Sequence, residues 1–156
     1  MSFQIKYQKG DLIKKAPKED YILHSCNARG VWGKGFAKQL KDKYPKSFNE
    51  YKAACSRYER EQESPVGECL ITSEKIICIF TSHDYGDKVD SPEQILLATE
   101  SALSSLILSK KDIRIHSPKI NSGLFQVPWD QTAQIIEEAL SLFPKKNIMW
   151  TVWDLE

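Results

Sequence analysis

The pattern of apolar and polar positions alternates between two periods along the chain. In "FQIKYQ", from Phe3, apolar residues recur at every second position until Gly10, which marks a half-buried strand. "DYILHSC", Asp20 to Cys26, is more continuously apolar and reads as a buried strand ending at a glycine-bearing loop. Helical spacing then runs from about Gly35 to Tyr44 and is broken by Pro45. A second helix, beginning near Pro45, carries Phe48, Tyr51, Cys55 and Tyr58. "ECLIT" and "KIICIFTS" predict two strands around a short Ser73–Glu74 turn.

A polar loop, "HDYGDKVD", separates that hairpin from "SPEQ", a capping box with Ser91 at N-cap, Pro92 at N1 and Gln94 at N3. The helix behind it has an apolar stripe of Ile95, Thr99, Ala102, Leu103, Leu106 and Ile107. "DIRIHS" reads as a short strand and "PKINSGLFQVPW" as a loop. "WDQTAQIIEEALSLF" is a helix with Thr132, Ile135, Ile136, Ala139, Leu140 and Phe143 on one face, and "NIMWTVW" is a last strand. Strands alternating with helices, with one hairpin between them, predict an α/β fold with a mixed, mostly parallel sheet. No repeat or linker divides it, so residues 1–156 form a single domain. Ligands in such sheets sit beyond the carboxyl ends of the strands.

Composition narrows the partners. With 22 Lys+Arg against 21 Asp+Glu the formal charge is +1, too little to announce direct nucleic-acid binding. A bound anion must therefore be held by local dipoles and a few placed cations. No apolar run reaches membrane-spanning length, and the amino terminus lacks the apolar core of a signal peptide. Cys26, Cys55, Cys69 and Cys78 form no C-x-x-C pair; neither a zinc motif nor a disulfide scaffold is expected, and the natural setting is a reducing one.

Two strand-to-helix loops are glycine-bearing and polar. "NARGVWGKG" follows the strand at Asp20–Cys26, and "INSGLF" follows "DIRIHS". Glycine lets backbone approach an anion, and helix amino termini aim unpaired N–H groups at it. Neither loop fits a Walker A motif or a dinucleotide-binding G-x-G-x-x-G. Two such loops on neighbouring strands predict a clamp for a diphosphate.

"KGDL", "HSCN", "GVWGKGFAKQL", "YPKSFNEY", "FTS" and "PKINSGLFQVPW" occur in that order, and together they resemble the fungal-type macrodomain phosphatases acting on ADP-ribose 1″-phosphate. The resemblance covers essentially the whole chain. It implies a three-layer α/β/α macrodomain that binds ADP-ribose, with Asp11 meeting the adenine amine and Asn27 the ribose hydroxyls. It places Gly33, Lys34 and Gly35 along the diphosphate, with Ser122, Gly123, Leu124 and Phe125 closing the other side. Gly10, Leu12, Ser25, Cys26, Val31, Trp32 and Asn121 flank these on the ligand side. No cofactor or metal is implied, and the setting is cytoplasmic or nuclear.

For catalysis the resemblance suggests His24 at the scissile phosphate, where imidazole can move a proton near neutral pH. The loop with His83, Asp84, Asp87 and Asp90 supplies a carboxylate, Asp87 and Asp90 being the candidates. The alternatives are a core histidine and a solvated turn. Cys26 shares strand parity with His24, which raises a Cys–His nucleophile against the plainer reading of a small buried hydrophobe. Macrodomains of the terminal ADP-ribose glycohydrolase type use a lysine and an aspartate where this chain has Ser82 and Phe125, which speaks against a lysine adduct. Two other functions stay open: a reader module that binds ADP-ribose without turnover, and a hydrolase acting on ADP-ribosylated proteins.

Overall fold

A computed structural model describes residues 3–154. Its six strands are β1 (Phe3–Lys9), β2 (Tyr21–Asn27), β3 (Cys69–Ile71), β4 (Ile76–Ser82), β5 (Asp112–Ser117) and β6 (Asn147–Asp154). They form one sheet in the order β1-β6-β5-β2-β4-β3, parallel throughout except for the β3–β4 pair. The helices are α1 (Leu12–Lys15), α2 (Gly35–Lys43), α3 (Pro45–Arg60), α4 (Pro92–Ser109) and α5 (Trp129–Ser141).

Both faces of the sheet are covered, as parallel strands require. On one face Leu23, Ile77, Ile79, Ile115 and Trp150 meet Ala102, Leu103 and Leu106 of α4 and Ile136, Ala139 and Leu140 of α5. On the other, Ile22, Cys26, Cys78 and Phe80 meet Leu12 and Ile13 of α1, Trp32, Leu40 of α2, and Tyr51 and Cys55 of α3. The expected three-layer α/β/α architecture is what forms.

The boundaries have local causes. The Ser91 hydroxyl accepts from Gln94 N–H while the Gln94 side chain accepts from Ser91 N–H, so the capping box forms as its sequence predicts. α2 stops at Lys43, and Tyr44 takes an extended φ of −124° because Pro45 excludes helical backbone before it. α5 stops at Ser141, two residues before the expected Phe143, ahead of Pro144. The one unforeseen helix, α1, is a single turn, too short to show periodicity. It exists because Asp11 caps it, accepting from Ile13 and Lys14 N–H at 3.1 and 3.4 Å.

Candidate functional site

The parallel strands β5, β2 and β4 lie side by side, so the loops that leave their carboxyl ends crowd one rim. The loop after β2 is held at two points. Asn27 folds it onto itself: its Oδ1 accepts from Arg29 N–H at 2.9 Å and Tyr51 O–H at 3.0 Å, and its Nδ2 donates to Val31 carbonyl at 2.8 Å. Five residues on, the Trp32 ring is buried, stacked on Tyr51 at 4.9 Å and edge-on to His24 at 4.6 Å. Between Trp32 and α2 the chain has nothing left to bury, so Gly33, Lys34 and Gly35 run exposed across the rim. Within the described residues no group accepts from the amides of Trp32, Gly33 or Lys34, and Lys34 gives the first turn of α2 no side-chain cap. The unpaired donors at this helix start point outward and favour an anion.

The loop after β5 is pinned by Asn121, which is buried with φ +65°. Its Oδ1 accepts from the Thr81 hydroxyl at 2.9 Å, its Nδ2 donates to Thr99 Oγ1 at 3.0 Å, and its N–H donates to Ser25 Oγ at 3.2 Å. Beyond this anchor the amides of Gly123, Leu124 and Phe125 have no acceptor among the described residues. A side chain added at Gly123 would meet nothing within 4 Å. The two loops face each other: a Cβ at Gly35 would stand 3.8 Å from Leu124 Cδ1. Two runs of free amides therefore border one open cleft, with the exposed Lys34 ammonium on its edge.

The loop after β4 leaves the same rim, on the far side of β2 from β5. The Ser82 hydroxyl ties it into a knot, donating to Asp84 carbonyl at 2.8 Å and accepting from Asp90 N–H at 3.0 Å. That fold-back carries Asp90 onto His83, where one carboxylate oxygen takes the Nδ1 edge of the ring at 2.7 Å and His83 N–H at 3.1 Å. The Asp90 side chain is 12% exposed and His83 56%, so a held imidazole presents Nε2 to solvent. The loop abuts the one after β2, since Ala28 N–H donates to Ser82 carbonyl at 3.0 Å and Arg29 pairs with Asp84 at 3.0 Å. Hydrogen bonding from Tyr85 N–H, with Arg29 beside it, holds the Asp84 carboxyl below its ordinary range.

Several expected residues sit elsewhere than the rim. His24 is 3% exposed and faces the α2/α3 layer, its Nε2 3.2 Å from Cys26 Sγ. It packs beneath Trp32, in the layer of α2 and α3 and below the exposed rim. Cys26 is also buried, and burial together with the Cys78 thiol pushes its own thiol well up in the free protein, in keeping with a small buried hydrophobe. Leu12 is core. Gly10, at φ +135°, is pressed against Lys15 and Trp153 and serves the turn. Asn27, Ser25 and Asn121 brace loops through the bonds just given. Asp11 has one carboxylate oxygen engaged in its cap and stays half-buried at the rim. Val31 and Ser122 are half-buried beside the free amides, and Phe125 flanks them. Asp87 is exposed on a 3-10 turn, Gly86–Lys88, with no polar partner among the described residues.

The residue overlooked as a candidate is His83. The sequence places it seven positions from Asp90, and only the Ser82 knot brings them together. Two shallow hollows, one bordered by Asp20, Arg114 and Asn147 and one by Pro17, Lys43 and Glu74, lie at the opposite end of the strands.

Comparison with known proteins shows the family and the fold. The Macro domain family model matches residues 23–136. The ADP-ribose 1″-phosphate phosphatase of Candida glabrata is 32% identical, covering 97% of this chain and 98% of the relative. That of Candida albicans is 34% identical, covering 86% and 92%. Among solved structures, the macrodomain of Thermus aquaticus DarG shares the fold with a TM-score of 0.73 at 23% identity, covering 97% of this chain and 99% of that one. Thermosipho africanus DarTG, solved in complex with ADP-ribose, matches with a TM-score of 0.68 at 16% identity, covering 96% of this chain and 42% of that one. With a glycine loop and a pinned second loop facing each other over the ends of β2 and β5, and with relatives of this likeness, the chain belongs to the Macro domain family.

Proposed function

We propose that the chain binds ADP-ribose and hydrolyses ADP-ribose 1″-phosphate to ADP-ribose and inorganic phosphate. The observation that carries this reading is the pair of facing amide runs, Trp32 to Lys34 and Gly123 to Phe125, none with an acceptor among the described residues. A hydrogen bond from a backbone amide to a charged oxygen contributes about 1.5–3 kcal/mol, so a few of them suffice for a nucleotide diphosphate. Named activities of relatives that align over nearly the full chain support the same substrate.

In this reading the diphosphate lies between the loops, and the 1″-phosphate reaches the side bordered by the loop after β4. The free amides and Lys34 take the phosphoryl charge as it grows at the transition state. Asp90 fixes the His83 ring through Nδ1, leaving Nε2 to take a proton from the attacking water. The water oxygen bonds to phosphorus as the bond from phosphorus to the 1″ oxygen breaks. The departing 1″ oxygen takes a proton from solvent, and the protonated His83 gives its own up to solvent and returns to its starting state. Asp90 keeps the role expected of a loop carboxylate; Asp87, unheld, has no comparable geometry. None of these steps calls for a metal ion.

Incubation with ADP-ribose 1″-phosphate and colorimetric measurement of free phosphate tests the proposal. Release that saturates with substrate is the expected result. A chain that binds ADP-ribose by calorimetry yet releases no phosphate is a reader instead. Liberation of ADP-ribose from a modified protein without phosphate release marks the other hydrolase.

A further inference from the structure

Below the rim, β2 and β4 assemble a buried group that the mechanism proposed above leaves aside. His24 and Cys26 project from the same face of β2, and Cys78 stands opposite His24 on the parallel neighbour. His24 Nε2 lies 3.2 Å from Cys26 Sγ and 3.9 Å from Cys78 Sγ, and all three donor atoms fall within 4.8 Å of one another. An ion bound at about 2.3 Å from sulfur and about 2.0 Å from nitrogen sets its donors about 3.5–4.0 Å apart, in trigonal or tetrahedral geometry. Shifts of less than about 1 Å would bring the three onto one ion.

A second feature points the same way. The indole N–H of Trp32 is buried with no hydrogen-bond acceptor among the described residues, a costly state in a core. Trp32 sits edge-on to His24 at 4.6 Å, in the same buried cluster as Cys26 and Cys78. Metal ligation, which takes the proton from Cys26, would give that donor a thiolate acceptor. Two sulfurs and one imidazole, with no oxygen donor, select a soft ion. Structural zinc sites close with four protein ligands and catalytic ones add a water to three, whereas this group offers three ligands, all buried, among the described residues.

We propose that His24, Cys26 and Cys78 form a buried three-coordinate site for one Cu(I) ion, which braces the glycine loop from below through Trp32. Binding forms two Cu–S bonds and one Cu–N bond, displaces the two thiol protons to solvent, and leaves the oxidation state of copper unchanged. The ligands come from two strands, so loading is coupled to folding. The site is independent of the phosphatase reading, since it needs neither the rim amides nor turnover.

The test uses the full chain, anaerobically refolded or titrated with Cu(I) acetonitrile complex in the presence of a Cu(I)-specific chelator, then desalted. The expected result is one copper retained per chain, quenched tryptophan fluorescence, and an X-ray absorption spectrum fitted by two sulfurs and one nitrogen. At free Cu(I) about a hundredfold above Kd, Tm rises by about 5–10 °C. Cys55→Ser/Cys69→Ser retains the ion, and Cys78→Ser, checked for fold by circular dichroism, loses it at least tenfold. No stoichiometric copper in the unaltered chain overturns the proposal, as do oxygen donors in its spectrum, equal retention in Cys78→Ser, or preferential uptake of Zn(II). The spectrum of the unaltered chain decides the matter even if Cys78→Ser does not fold.

Discussion

Gly123 and Gly30 are both loop glycines, yet substituting them should have opposite effects. At Gly123 an added Cβ meets nothing within 4 Å, and its backbone lies outside the left-handed region, so valine there burdens the free protein little. Stability should change by no more than about 0.5 kcal/mol, the range for a surface substitution without a special role. The branched side chain would instead occupy the space in front of the Gly123–Phe125 amides. Losing two amide–phosphate hydrogen bonds costs about 3–5 kcal/mol, a weakening of about 10²–10⁴-fold in Kd. Gly30 has φ +79° and its Cβ would stand 3.5 Å from Lys52 Cγ, facing α3 and away from the cleft. Gly30→Ala should therefore destabilise by about 1–2 kcal/mol, lowering Tm by about 2–8 °C, with ADP-ribose affinity kept within a few-fold. Calorimetric titration with ADP-ribose and a thermal melt on each variant read both quantities. Normal affinity in Gly123→Val would refute the second-loop contact, and a large loss of stability there would refute the open space ascribed to it.

Three further outcomes follow from the same geometry. His83→Gln and Asp90→Asn should each lower phosphate release by about 10²-fold or more while ADP-ribose affinity stays within threefold; unchanged turnover in His83→Gln removes the dyad from the reaction. His24→Ala opens a void between Trp32, Cys26 and Cys78, and should cost about 2–4 kcal/mol, seen as a Tm lowered by about 5–15 °C. A variant of unchanged Tm would contradict its place in the core. Phosphate release should persist in excess EDTA, and its abolition there, restored by a divalent cation, would contradict the metal-free reading.

The layers of the fold were legible because long periodic segments, proline breaks and a complete capping box all agree on the same boundaries. α1 was not, since a single turn depends on one carboxylate, Asp11, and not on a pattern. At the site, the two loops could be found from their glycines, but the duties within them could not. The strand at Ile22–His24 is buried on both faces, so apolar alternation is erased and nothing in the sequence says which layer His24 enters. Asn27 and Asn121 carry side chains suited equally to a ribose and to a loop carbonyl. Their native partners, Tyr51, Thr81 and Thr99, are 22 to 40 residues away, so only tertiary structure decides. His83 and Asp90 are joined by a fold-back through the Ser82 hydroxyl, a contact no short motif announces.

A ¹⁵N-resolved NMR titration of the chain with ADP-ribose reads the free amides directly. The account predicts that the largest shifts fall together on Trp32, Gly33, Lys34 and the first turn of α2, and on Gly123, Leu124 and Phe125. Saturating ADP-ribose that leaves both runs unmoved, while amides at the opposite end of the sheet respond, would contradict it.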